Sequence, residues 1–317
     1  MVRRIGLAGA AIAASLIFLL AAVHADVHSA AYKGSKLCLM CHKGRNKDIA
    51  EAFPKTGHYL TFWKVGQEAD ASRQKIVGDF ASNQAFKRSQ VAYVLGAGDR
   101  RQAYLDDKFQ VLPAQWEAAS KSWQAIPADD AVTKCLGCHV TGYTPDQKSW
   151  VEAGVTCERC HGPGGDHITA SADTRLAAIV RPATLPPKTR AQICGQCHAP
   201  GADPSGKFAF PVDYRPGDDL TKSYNITMTD KHLPQNQYVE LMQSPGHWSH
   251  DVVCDTCHDP HGVTGLPHQL KKPVNELCQG CHTSLTGPQH SPESLAAQTC
   301  AKCHMPDGAH FFRAPKP

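Results

Sequence analysis

All fourteen cysteines of this 317-residue chain fall in pairs of the form C-x-x-C, and a histidine follows every pair at once. The first copies are Cys38, Cys41 and His42 (CLMCH); Cys135, Cys138 and His139 (CLGCH); and Cys157, Cys160 and His161 (CERCH). Cys194, Cys197 and His198 (CGQCH) follow, then Cys254, Cys257 and His258 (CDTCH). The last two are Cys278, Cys281 and His282 (CQGCH) and Cys300, Cys303 and His304 (CAKCH). Zinc sites join two knuckles, and an odd number of knuckles with private histidines does not pair off. Disulfides at this spacing are exchange-active, and seven such pairs in one chain would be unusual. The pattern fits covalent c-type haem. Both thiols tether the porphyrin and the adjacent histidine binds iron from one face. Seven covalently bound haem c groups are expected.

The start of the chain agrees with export. MVRR is basic, Ile5 to Leu20 is apolar, and Val23-His24-Ala25 is a small-x-small cleavage site. Residues 1–25 are read as a signal peptide. The alternative is an uncleaved anchor, since Ile5 to Val23 is just long enough to cross a bilayer. A periplasmic or extracellular location follows, membrane-associated if the segment is retained.

The apolar content of 42% is a modest core for this length. Porphyrin would supply the missing apolar surface. The expected fold is a multihaem cytochrome c, mainly α-helical and irregular, organised around haems, with a small antiparallel β insertion. The formal charge is +4. Propionates and ferric centres would carry the oxidised holoprotein to about −3 and the reduced form to about −10. Nothing favours nucleic acid as a partner.

Successive motifs start 97, 22, 37, 60, 24 and 22 residues apart. Within the long first gap the pattern turns strand-like, as KIVGDF, QVAYVLG, RRQAYLDD and KFQVLP from Lys75 to Pro113, with Val91, Tyr93 and Leu95 alternating. A meander of three or four strands is expected, either extending the haem core or presenting a docking face. A helix over 82–96 is the competing reading. Residues 199–222, rich in Pro, Gly and Asp, read as loop. Short helices are expected at Tyr238 to Gln243 and over 290–303. The division is 26–72 as an N-terminal haem segment, 73–115 as the β-rich module, 116–200 as one haem domain and 201–317 as a second.

CLGCHVTGY, Trp150 and GVTCERCHGPGGDH resemble the multihaem cytochrome c554 family. CHDPHG at 257–262 and HQLKKPVNELCQGCH at 268–282 resemble doubled-CxxCH regions of other multihaem cytochromes, and CAKCHMPDGAH at 300–310 recurs in the superfamily. The likeness extends over most of the chain after Lys75. It implies either pure electron carriers or reductases of small nitrogen or sulfur compounds.

What separates those readings is the supply of histidine for the second face of each iron. Outside the motifs and His24 stand ten: His28, His58, His167, His232, His247, His250, His261, His268, His290 and His310. Seven are selected as distal ligands. The resemblance implies His167, His261, His268 and His310. Their places in the chain suggest His58, His247 and His290. His250 is the nearest rival to His247. No motif replaces its histidine with lysine, a substitution that would have suggested a nitrite-reductase-like site. Arg159, Lys222, Lys271, Lys272 and Lys302 can pair with propionates or stand as solvated charges.

The expected function is electron conduction along mostly bis-histidine haems between redox partners, a quinol-oxidising membrane complex or other cytochromes. Two alternatives stay open: a reductase or oxidase working at one open-face haem, and a self-associating subunit of a haem-wired filament or membrane complex. No catalytic residue is assigned.

Overall fold

A computed structural model describes residues 31–312 apart from Ala69 and Pro234. The candidate leader and His28 lie outside the described residues. Short helices, loops and small antiparallel sheets make up the chain. No helix of the described residues is long and apolar enough to cross a membrane.

Most motifs sit on or at the end of a short helix, among them Ser35–Arg45, Leu136–His139, Cys157–His161, Pro187–His198, Cys254–Cys257 and Cys300–His304. Helical winding explains the spacing, because residues three apart share one face. Both thiols then face the same way, with the histidine one step further round.

The largest sheet is antiparallel, in the order β1 (Phe62–Lys64), β2 (Tyr93–Leu95), β3 (Arg101–Leu105), β4 (Ala114–Glu117) and β5 (Ser122–Ala125). Both of its faces are covered. On one, Phe62, Tyr93, Leu95 and Leu105 pack with Ala131, Val132, Leu136 and Val140, the residues flanking the CLGCH motif. On the other, Trp63, Val94, Tyr104 and Trp116 lie under Phe86 and Val91, with Ile76, Phe80 and Trp123 at the margin. This double burial is why the strands carry apolar side chains on both sides. The sheet thus packs on the residues flanking the second motif, and residues 93–95 are strand rather than helix.

KIVGDF, expected as a strand, is a covering loop. The amide group of buried Gln102 takes its place in the ladder: Oε1 accepts from Val77 N at 2.9 Å and Nε2 donates to Lys75 O at 2.8 Å. Gly78 N donates to Tyr104 Oη at 3.3 Å. KFQVLP is also not a full strand. Asp106 Oδ1 accepts from Lys108 N and Gln110 N, at 2.9 and 2.8 Å, and curls the segment into a turn. Only isolated bridges join it to neighbours, Leu105 with Val111 and Gln110 with Asp130.

Gly154 joins the sheet region to the third motif. Its φ is +86°, and a Cβ there would stand 2.2 Å from Tyr59 O, so only glycine fits. A further apolar cluster, Ala191, Tyr214, Leu220, Tyr224, Tyr238, Val239 and Val253, packs helix Pro187–His198 on helix Gln237–Met242. The expected helix after 290 divides into Pro292–Ala297 and Cys300–His304.

Candidate haem-binding sites

Between Val253 and Ala309 no apolar side chain is buried among the described residues. Three C-x-x-C-H motifs occupy that stretch. Its order comes instead from polar links such as Asn275, whose Oδ1 accepts from Cys300 N at 2.8 Å and whose Nδ2 donates to Leu295 O at 2.9 Å. A segment without a side-chain core fits one that folds around a bound apolar group.

Six of the seven motif histidines each face one histidine from outside the motifs. The ring centroids are 6.3 Å apart for His42 and His167, 6.1 Å for His198 and His58, and 6.2 Å for His161 and His261. They are 6.0 Å apart for His258 and His310, 6.0 Å for His282 and His247, and 6.1 Å for His304 and His290. This separation is too wide for a direct hydrogen bond between the two rings. Two metal–nitrogen bonds of about 2 Å, with a ring radius of about 1 Å on each side, span about 6 Å. Each pair therefore leaves room for one metal atom.

The ring nitrogens are arranged for that use. His42 Nδ1 meets Asn46 Oδ1 at 3.0 Å, His161 Nδ1 meets Val180 O at 3.0 Å and His198 Nδ1 meets Gln237 Oε1 at 3.1 Å. His258 Nδ1 meets His268 O at 2.9 Å. Across the gaps, His167 Nδ1 meets Arg175 O at 2.8 Å and His290 Nδ1 meets Thr286 O at 2.7 Å. An oxygen acceptor fixes the proton on Nδ1 and leaves the Nε2 lone pair for iron. Burial pushes His58 and His310 down to about 4. They are thus held in the neutral form that binds metal.

His139 differs. Its Nδ1 meets Thr61 Oγ1, just before β1, at 3.0 Å, and burial lowers its pKa to about 4. No histidine stands opposite it among the described residues.

The remaining histidines are otherwise engaged. His268, selected from the sequence as a ligand, is exposed and faces no motif histidine; its φ is +56°, and its carbonyl orients His258. His232 uses both ring nitrogens, toward Glu240 Oε1 at 2.7 Å and Asp307 O at 3.2 Å. His250 turns Nδ1 to Gly246 O at 3.1 Å.

The cysteines of different motifs meet as well. Cys38 lies beside Cys157, Cys138 beside Cys197, Cys194 beside Cys254 and Cys278 beside Cys300. Cys160 lies within electrostatic range of Cys197, and Cys257 of Cys281. The side chain of Arg159 reaches the CLGCH motif, donating from Nη2 to Gly137 O, while its buried Nε has no partner. Arg175 Nε, Arg215 Nη1 and Tyr214 Oη are also buried without partners. Such donors suit a group carrying carboxylates.

Two carboxylates unremarked in the sequence hold these parts together. Glu158, inside CERCH, accepts from Lys33 N at 2.9 Å, Gly34 N at 2.6 Å and Gly164 N at 2.7 Å. Glu240 binds the C-terminal stretch through His310 N at 2.7 Å.

Tethering thiols, paired imidazoles and a C-terminal stretch without buried apolar side chains together fit a c-type haem protein. The family model described as cytochrome c554 and c-prime matches residues 104–162, and the doubled CXXCH motif matches 249–287. Multiheme cytochrome MtrA of Shewanella baltica (strain OS185) is 27% identical over 250 residues, which is 63% of this chain and 74% of that protein. The dissimilatory sulfite reductase MccA of Wolinella succinogenes is 24% identical over 185 residues, 50% of this chain but 23% of that protein. Among solved structures, outer cell wall cytochrome OcwA superposes with a TM-score of 0.69 at 23% identity, covering 89% of this chain and 79% of its own. The undecaheme cytochrome from the S-layer of Carboxydothermus ferrireducens gives 0.54 at 20% identity, covering 91% of this chain and 53% of its own. The chain is a multihaem c-type cytochrome, and its covalently held haems carry electrons.

Proposed function

We propose that the chain binds seven haems, six of them between the histidine pairs, and conducts electrons along them between redox partners. The observation that carries this reading is the recurrence of the 6.0–6.3 Å histidine gap at six motifs. Bound haem supplies the one-electron chemistry. The chain's part is to orient imidazoles such as those of His42, His161 and His198 through Nδ1, to hold His58 and His310 neutral by burial, and to bring the motifs together.

The thiol contacts support an order that differs from chain order. The first motif neighbours the third, the third the fourth, and the fourth, fifth, sixth and seventh follow in turn. The second hangs from the fourth as a branch. The partners are other redox proteins, a quinol-oxidising membrane complex or further cytochromes, met in the periplasm or outside the cell.

A second reading, reduction of a small nitrogen or sulfur compound, is favoured by one observation: His139 has no imidazole opposite it among the described residues. Electron paramagnetic resonance of the oxidised holoprotein separates the two. Six or seven low-spin haems are expected, and one high-spin haem would support the second reading. Seven low-spin haems would remove the second reading, and two or more high-spin haems would break the pairing itself.

A further inference from the structure

Glu240 is fully buried, on helix Gln237–Met242. A carboxylate taken wholly out of water persists only where donors surround it. Here Oε1 accepts from His232 Nδ1 at 2.7 Å and Oε2 from His310 N at 2.7 Å. The stapling continues around it. Ser244 Oγ donates to His310 O at 2.9 Å, and His232 Nε2 lies 3.2 Å from Asp307 O. The same Oε2 lies 4.0 Å from His310 Nδ1, a buried nitrogen with no hydrogen-bond partner. The ring faces His258 across a 6.0 Å gap. The Nδ1 atoms of His42, His161, His198, His167 and His290 face neutral oxygens. His310 Nδ1 has a fully buried carboxylate instead, whereas the carboxylate 3.7 Å from His261 Nδ1, that of Asp259, is partly exposed.

We propose that Glu240 positions His310 and sets the reduction potential of the haem held by His258 and His310, favouring its ferric state. This rests on the reading of those two histidines as one iron's ligands. A negative charge facing the far nitrogen of an axial imidazole raises the basicity of the ligand and opposes arrival of an electron at the metal. The fifth motif stands between the fourth and the sixth in the proposed order. Glu240 therefore lowers the potential of a haem in the middle of the path.

The test is a spectroscopically followed redox titration of the full holoprotein and of Glu240→Gln. The glutamine keeps the shape and an acceptor for His310 N but removes the charge. The reduction equilibrium of one haem is expected to move at least tenfold toward the ferrous state, about 59 mV for one electron. The other six should stay within threefold, with haem content unchanged. Glu240→Asp should restore part of the shift. His232→Gln, which takes the imidazole donor from Oε1 and makes the buried charge harder to keep, should move the same haem at least threefold in the same direction. It serves alone if Glu240→Gln does not fold. His310→Ala checks the ligand reading separately and should yield one new high-spin haem. If it does, and no potential moves in either the Glu240→Gln or the His232→Gln protein, the tuning role is overturned. Equal movement of all seven haems overturns it too. If His310→Ala yields no high-spin haem, the ligand assignment falls instead.

Discussion

Replacing His58 with alanine is expected to leave one haem per chain newly high-spin and to slow electron passage between the two ends of the molecule. His58 precedes the sheet, and its ring stands 6.1 Å from that of His198, at 87° to it. Its backbone is fixed by Val155 N, which donates to His58 O at 3.0 Å, so the loss of the ring should leave the segment in place. The imidazole would vanish from the fourth motif, the one whose thiols meet those of the second and the fifth. No other haem has as many neighbours in the proposed order, so the damage should exceed that at the terminal His290. The reduction equilibrium of the altered haem should shift tenfold or more, about 59 mV. His58→Met should remain low-spin with a raised potential, since a thioether ligand favours the ferrous state. Spin counting together with a redox titration checks both variants. An unchanged spectrum in His58→Ala would remove this pair from the account.

Glu158→Ala should cause the largest loss of stability among single surface-to-core charges. The side chain is 1% exposed and accepts from three backbone N–H groups. Hydrogen bonds to a charged acceptor contribute about 1.5–3 kcal/mol each, and stranded buried donors carry a further cost. Allowing for non-additivity, about 3 kcal/mol or more should be lost. The effect should be local. Residues 33–35, which lead into the first haem helix, lie on the third motif through Glu158 and through Glu152, whose Oε2 accepts from Ser35 N at 2.9 Å. Amide exchange at Lys33, Gly34 and Gly164 should accelerate about a hundredfold, while amides of the sheet keep their protection. Glu158→Gln should lose less, because the shape and one acceptor oxygen survive.

The cofactor chemistry was legible because covalent attachment dictates both residue type and spacing, so seven copies of one pentapeptide declare it. The histidines proposed as distal ligands were legible as candidates, but not their partners. His58, His167, His247, His261, His290 and His310 each stand opposite a motif histidine, but the pairs join distant stretches, as His42 with His167 does. Reading order cannot supply that. His268 has a ligand's spacing in HQLKK but a turn's backbone, which spends its carbonyl on His258 and leaves its ring outside. β2 showed in the alternation of Val91, Tyr93 and Leu95, and β3 in RRQAYLDD. β1 did not, since what makes it a strand is its pairing with the distant β2, Phe62 opposite Leu95. KIVGDF had strand composition, but its backbone partners lie in the side chain of Gln102, a tertiary fact. Glu158 and Glu240 read in sequence as ordinary charges. Only the burial of each, and the amides that converge on it, reveals a structural role.

The account stands on iron sitting between the paired rings. Anomalous diffraction at the iron edge from crystals of the matured holoprotein tests this directly. Seven iron peaks are predicted, six of them midway between the named histidine pairs and the seventh at His139 Nε2. Fewer peaks, or peaks away from those gaps, would contradict it.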